Sequence, residues 1–203
     1  MAIMATDTGG GGDFKLTPSG NHVSVCNMVV DLGKQRITSS MYGESIKHQI
    51  YIRWEMVHER LKWTDKDGRD REGPMTIGKT YTLSLHENAN LRADLENWRG
   101  RAFTEEERKG FDVAKLLGVP AMVSVTHADR NGKTYANVSG VAGLPKGMER
   151  PAAENTPILY DADNLSSFND LPEWLQKKIN EQVKEEPKRE PAYADDLNDD
   201  IPF

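Results

Sequence analysis

The clearest structural signal in the chain is residues 46–57, IKHQIYIRWEMV. Its even positions are apolar apart from His48, whereas its odd positions include Lys47, Tyr51 and Arg53. Alternation with a period of two is typical of a β-strand that has one buried face. The segment is therefore predicted to be a strand whose outward face carries cations and an aromatic ring.

Apolar runs on both sides of this segment predict two further strands. Residues 22–32, HVSVCNMVVDL, precede it, and residues 75–85, MTIGKTYTLSL, follow it. In the first run the apolar residues of one parity, which are expected to share a face, are Cys26, Met28, Val30 and Leu32. The polar residues 34–45 are expected to form the first connection. The mixed-charge residues 62–74 are expected to form a long hairpin loop.

The spacing of apolar residues then changes to that of a helix. Leu91, Leu95 and Trp98 lie on one helical face, and Thr104 and Glu107 have the spacing of a capping box at the start of a second, short helix. Trp98, like Trp54 in the second strand, is assigned to the core because it occupies an apolar position.

A two-stranded hairpin completes the predicted order of elements. Strand spacing returns at residues 120–130, and Asn131-Gly132 predicts a tight turn into a fifth strand. Three strands, a helical insert and a hairpin follow the order of the OB-fold, a five-stranded Greek-key barrel. We therefore expect a mainly β OB-fold over residues 14–150. Such barrels bind oligonucleotides and oligosaccharides on the outer face of strands 2 and 3 and on the adjoining loops.

Charge is distributed unevenly along the 203 residues, although the formal net charge is only -6. Residues 14–150 hold 21 Lys+Arg and 17 Asp+Glu, whereas residues 151–203 hold 5 and 13. A basic body with an acidic tail suggests either polyanion binding or a regulatory tail. An ordinary domain with a solvating tail is the alternative.

The expected ligand surface carries both residue types that unpaired nucleic acid needs, namely cations for phosphates and flat rings for base stacking. The predicted contacts with single-stranded DNA lie in the first loop, on the outward face of the second strand and around the Asn131-Gly132 turn: Lys34, Arg36, Tyr42, Lys47, Tyr51, Arg53, Arg130, Lys133 and Tyr135. For each residue taken alone, ordinary solvation of an exposed strand is the competing interpretation.

Catalytic and metal-binding motifs are missing from the sequence. The five histidines are dispersed, and no Walker motif or nucleophile elbow is present. The single Cys26 excludes thiolate zinc motifs. We predict a protein that is not an enzyme and needs no cofactor or metal. Because neither a secretory signal nor a membrane span is found, a cytoplasmic location is expected.

Both ends of the chain are expected to be disordered. Residues 1–13 form a Gly-rich leader at one end, and residues 191–203 form an acidic tail at the other. Residues 151–190 form an extension between the barrel and this tail. The extension contains an amphipathic helix at about 171–183, which is expected to dock on the barrel or on a sister subunit.

The tail ends in apolar residues, Ile201 and Phe203, which are unusual in a segment that only interacts with solvent. Phe203 can fill a pocket while its carboxylate meets a cation, and the aspartates can steer it towards a basic rim. The predicted partner-binding residues are Asp199, Asp200, Ile201, Pro202 and Phe203.

Residues 195–203, DDLNDDIPF, resemble the acidic C-terminal tip of bacterial and phage single-stranded DNA-binding proteins. Residues 91–118, 132–147 and 171–179 resemble the body of the phage-encoded members. The resemblance implies an OB-fold protein that coats single-stranded DNA in phage replication or recombination, within a bacterial host cell. It also implies that the tip recruits replication or recombination enzymes. The leader and the helix depart from the compact bacterial pattern, which leaves the oligomeric state, including a homo-oligomer, open.

Two alternatives to DNA coating remain. The chain could be a protein-binding OB module that engages host replication or repair enzymes without touching DNA. RNA is also a possible ligand, because charge and stacking do not distinguish the two sugars. If DNA is the ligand, the acidic tail is expected to compete with it for the cationic groove.

Overall fold

The computed structural model describes residues 15–39, 43–65, 67–161 and 163–183. Its five long strands are β1 (Gly20–Ser39), β2 (Gly43–Thr64), β3 (Asp70–Thr82), β4 (Pro120–Arg130) and β5 (Lys133–Ala142). Between β3 and β4 lie α1 (Asn90–Arg99), α2 (Glu105–Lys109) and a 3-10 helix (Val113–Leu116). After β5 come β6 (Ile158–Tyr160), a second 3-10 helix (Leu165–Asp170) and α3 (Glu173–Asn180).

The five long strands form one antiparallel sheet in the order β3-β2-β1-β4-β5. The sheet curls into a half-barrel, so that β3 and β5 approach each other, and α1 packs against both of them. The predicted mainly β architecture is confirmed, including helices between the third and fourth long strands. The short strand β6, which pairs in parallel with β1, was not predicted.

The concave side of the sheet holds the main core. Trp54 from β2 and Trp98 from α1 meet there, with ring centroids 5.9 Å apart, and both are buried as predicted. Leu91 and Leu95, which share the apolar face of α1 with Trp98, are also buried. The capping box of α2 is also present, since the Thr104 hydroxyl accepts from the Glu107 N–H and the Glu107 carboxylate accepts from the Thr104 N–H.

A β-bulge divides the apolar residues of β1 between two faces. Cys26 pairs with Trp54 and Met28 pairs with Arg53, which leaves Asn27 as the extra residue. The prediction that Cys26 shares a face with Met28, Val30 and Leu32 is therefore wrong for Cys26, because one inserted residue reverses the alternation that follows it. The apolar residues that lie outside the main core after the bulge are Met28, Val30 and Leu32.

The C-terminal extension, residues 151–183, covers this outer face of β1. Its buried members, Tyr160, Leu171, Leu175 and Ile179, form a second apolar cluster with the three β1 residues. Full burial of each leucine or isoleucine side chain stabilises the contact by about 1.5–3 kcal/mol. The predicted helix is thus observed as α3, docked on the sheet of its own chain.

The hairpin between β2 and β3 differs from its prediction. The loop expected over residues 62–74 is wrong for most of its length, because β2 continues to Thr64 and β3 begins at Asp70. The Asp65 carboxylate closes the short turn by accepting from the Arg69 N–H at 2.9 Å and from Arg71 Nε at 2.9 Å. Ion pairs and hydrogen bonds between polar side chains stabilise this hairpin. The alternation of apolar and polar residues, from which the other strands were predicted, therefore does not reveal it.

Candidate nucleic-acid interface

The outward face of β2 holds three of the predicted contacts in one row: Lys47, Tyr51 and Arg53. Side chains two positions apart in a strand share a face and lie about 7 Å from each other. Lys47 is exposed, whereas Tyr51 and Arg53 are half-buried. The row therefore has an open end at Lys47 and a covered end at Arg53.

A groove of about 400 Å³ adjoins the open end of the row, and we call it the β2–β3 groove. Its lining comes from β2, β3 and the loop that leads to α1: Lys47, Gln49, Thr80, Tyr81, Thr82, Ser84, His86, Asn88, Ala89 and Asn90. The described lining contains no acidic residue. Within the described part of the chain, Lys47 forms no ion pair. The groove thus combines an available cation with neutral hydrogen-bonding side chains, which suits a polyanion.

Tyr51 at the covered end is packed on two sides. Its ring meets Trp174 of α3 edge to face, with centroids 5.0 Å apart. Its hydroxyl lies against Gly78 of β3, where a Cβ atom would overlap it. Burial raises the pKa of Tyr51 above its ordinary value of 10.0. In this arrangement the ring supports neighbouring groups instead of offering an open stacking face.

Arg53 belongs to a hydrogen-bonded network beneath the extension. Its Nε donates to Asn27 Oδ1 at 3.0 Å, and Asn27 Nδ2 donates to Glu55 Oε2 at 3.1 Å. Burial lowers the pKa of Arg53, while the neighbouring Tyr51 and Glu55 favour its charged form. The bulge residue Asn27 therefore links the cation to a buried carboxylate.

Lys34 and Arg36 lie apart from the row on β2. Their predicted place in a loop is wrong, because β1 continues through both residues. Gln35 is the partner of Lys47, so its neighbours Lys34 and Arg36 point to the opposite face. Arg36 forms an ion pair with Glu44 of β2. Tyr42, the third residue predicted in this connection, lies outside the described residues.

The β4–β5 hairpin brings the last three predicted residues together. Asn131 and Gly132 have φ angles of 51° and 73°, as a two-residue hairpin turn requires, so the predicted hairpin is confirmed. Arg130 pairs with Lys133, and the next pair on that face includes Tyr135. All three side chains are exposed on one side of the hairpin.

Two exposed tryptophans were not among the predicted contacts. Trp63 lies near the end of β2 and is 46% exposed, and Trp174 on α3 is 48% exposed. The position of Trp174 at the edge of the buried helix face could have been found from the spacing of Leu171, Leu175 and Ile179. These residues repeat every four positions and form the buried face, so the residue just before Leu175 falls at its margin.

No family model matches this chain, and no curated protein matches it either. The predicted partner-binding residues of the C-terminal tip lie outside the described residues. None of the described helices has the length and apolarity to cross a membrane. Among the described residues, no three His, Cys, Asp or Glu side chains are grouped so that they could hold a metal ion.

Proposed function

We propose that this protein binds single-stranded DNA without reading its sequence. The observation that carries the proposal is the β2–β3 groove, which holds Lys47 and is lined by polar side chains without a described carboxylate. Single-stranded nucleic acid is bound by grooves that combine cations with stacking surfaces. The strand order β3-β2-β1-β4-β5 supports an OB-fold, in which strands 2 and 3 carry the ligand.

The β4–β5 hairpin is a second, separate part of the proposed binding surface, because β4 pairs with the start of β1 at Gly20 whereas Lys47 pairs with Gln35 near the end of β1. Arg130 and Lys133 present two cations for phosphates, and Tyr135 presents a ring on the same face. Each base that stacks on an aromatic side chain adds about 1–3 kcal/mol, and each phosphate contact adds a salt-dependent contribution. A few contacts of each kind give useful affinity for any base sequence.

Partner recruitment is the second part of the proposal. We assign it to Asp199, Asp200, Ile201, Pro202 and Phe203, because an apolar aromatic residue next to aspartates suits an apolar pocket with a basic rim. In this role the protein coats single strands during phage replication or recombination in a bacterial cell. Deletion of Phe203 should abolish capture of a partner enzyme and leave DNA affinity unchanged.

A protein-binding module that never contacts DNA is the second candidate. The covered state of Tyr51 and Arg53 favours it, because part of the predicted DNA face is already occupied by the extension. A gel-shift assay with single-stranded and duplex oligonucleotides separates the two candidates. Retardation of single strands of unrelated sequence supports DNA binding, whereas free migration of every oligonucleotide at low salt rejects it.

A further inference from the structure

We infer that Trp174 is a base-stacking residue of the proposed DNA site, so that the C-terminal extension forms part of that site. The inference rests on the proposed function and adds a residue to it. Its starting point is the position of the indole, which is 48% exposed although α3 is otherwise docked through buried side chains. Trp174 is the aromatic residue of α3, and its side chain is accessible at the surface.

The position of Trp174 connects it to the β2–β3 groove. Its ring contacts Tyr51, which is paired directly with Thr80 of β3. Thr80 lines the groove, and so does Gln49, which lies two positions before Tyr51 on the same face. The indole therefore contacts a residue whose neighbours in the sheet, Thr80 and Gln49, line the groove.

Tyr51 has the geometry of a support for the indole. Its hydroxyl end is confined by Gly78, and its ring meets Trp174 with an angle of 88° between the planes. Edge-to-face contacts of this kind are favourable beyond the apolar area that they bury. A half-exposed indole held in this way gives a base a preformed surface, which reduces the ordering cost of binding.

The chemistry of the neighbouring groups fits one strand of nucleic acid. A base stacked on Trp174 would leave the adjoining nucleotides over the groove, where Lys47 can meet a phosphate and Gln49 can hydrogen-bond a base or a sugar. Stacking on an indole tolerates any base, because every base has a π face. The arrangement therefore matches binding that does not depend on sequence.

Trp63 provides a matched control. It is 46% exposed, almost the same as Trp174, but it lies near the turn of the β2–β3 hairpin opposite Arg71. The other two tryptophans, Trp54 and Trp98, are buried in the core. Quenching of intrinsic fluorescence by a bound base can therefore be assigned by replacing the two exposed tryptophans one at a time.

The experiment titrates oligo(dT) into the full chain and into four variants: Trp174→Phe, Trp174→Leu, Trp63→Phe and Trp63→Leu. Both intrinsic fluorescence and the polarisation of labelled DNA are recorded. We expect Trp63→Phe to keep most of the quenching and Trp174→Phe to lose it. Trp174→Leu should weaken affinity about tenfold, the effect of losing one stacked base, whereas Trp63→Leu should match wild type. Circular dichroism checks that each variant is folded, and the Phe variants preserve a ring for packing.

Failure of the inference and failure of the proposed function give different results. If wild type binds oligo(dT) and the Trp174 variants retain its quenching and affinity, the stacking role is rejected and the proposed function stands. If wild type does not bind at low salt, the proposed function is rejected and the inference with it.

Discussion

Asn155 donates two hydrogen bonds to the Glu55 carboxylate, one from its backbone N–H at 3.1 Å and one from Nδ2 at 2.7 Å. Glu55 is only 3% exposed, and its oxygens also accept from Asn27 and from the Glu154 N–H. A buried carboxylate requires such partners, because burial without them is strongly unfavourable. This set of bonds fastens the start of the extension to β2.

Replacement of Glu55 by Gln should lower the free energy of unfolding by about 1–3 kcal/mol, since an amide N–H₂ would face donors. Urea denaturation followed by circular dichroism measures the change. Glu44→Gln is the control, because it removes an exposed ion pair that is worth at most about 1 kcal/mol. Equal stability of the two variants would show that the buried bonds do not fasten the extension.

Gly78→Ala should displace Tyr51, because a Cβ at this position would overlap the tyrosine hydroxyl. Overpacking of this kind costs about 1–3 kcal/mol of stability. The change in near-ultraviolet circular dichroism should report the altered environment of Tyr51 and Trp174. Gly140→Ala in β5 is the matched control, since among the described residues, apart from its two chain neighbours, none has an atom within 4 Å of the added Cβ. A Gly78 variant as stable as the Gly140 variant would contradict the packing described for Tyr51.

Lowering the pH should remove the contribution that the ionised Glu107 carboxylate makes to the stability of the fold. Hydrogen bonds from Arg101, from the Thr104 N–H and from Arg99 lower its pKa from 4.5 to about 2. A carboxylate whose pKa is lowered in the folded state stabilises the fold above pH 4.5, and this contribution is lost as the pH falls towards about 2.

The melting temperature of Glu107→Gln should therefore lie below that of wild type at neutral pH, and the two values should converge between pH 4.5 and about 2. Differential scanning calorimetry across this range measures both. Glu105→Gln, at a side chain that is 87% exposed on the same helix, should differ much less from wild type. A difference for Glu107→Gln that stays constant with pH would rule out the ionic contribution.

Neutralising the proposed phosphate contacts should change the salt dependence of DNA binding. Each lost contact should reduce the slope of log K against log salt by about 0.7. We expect this change for Lys47→Ala and for Lys133→Ala. Lys109→Ala removes the same charge from α2, where the lysine is paired with Glu106, and should leave the slope unchanged. If all three variants behave alike, the effect is one of net charge and not of position.

Much of the sheet could be predicted from local patterns. The alternation in residues 46–57 correctly assigns Ile50, Ile52 and Trp54 to the core, and Asn131-Gly132 correctly marks the β4–β5 turn. These features depend on neighbours in the chain, so a single sequence contains the necessary information.

The exposure of the candidate site could not be predicted in the same way. Alternation places Lys47, Tyr51 and Arg53 on one outward face, but of these three only Lys47 is exposed in the structure. Tyr51 packs against Trp174 of α3, and Arg53 is hydrogen-bonded to the bulge residue Asn27. The bulge at Asn27 places Met28, Val30 and Leu32 on the face of β1 against which α3 packs. A one-residue insertion of this kind leaves no periodic signal in the sequence. Both features depend on contacts between segments that are distant in sequence.

The most direct test is a solution titration of labelled single-stranded oligonucleotides of unrelated sequences, repeated at increasing salt, with duplex DNA as competitor. Similar affinities for every single strand, weak competition by the duplex and a linear fall of log K with log salt are the predicted result. An absence of binding at the lowest salt, or a preference for the duplex, would contradict the proposed function.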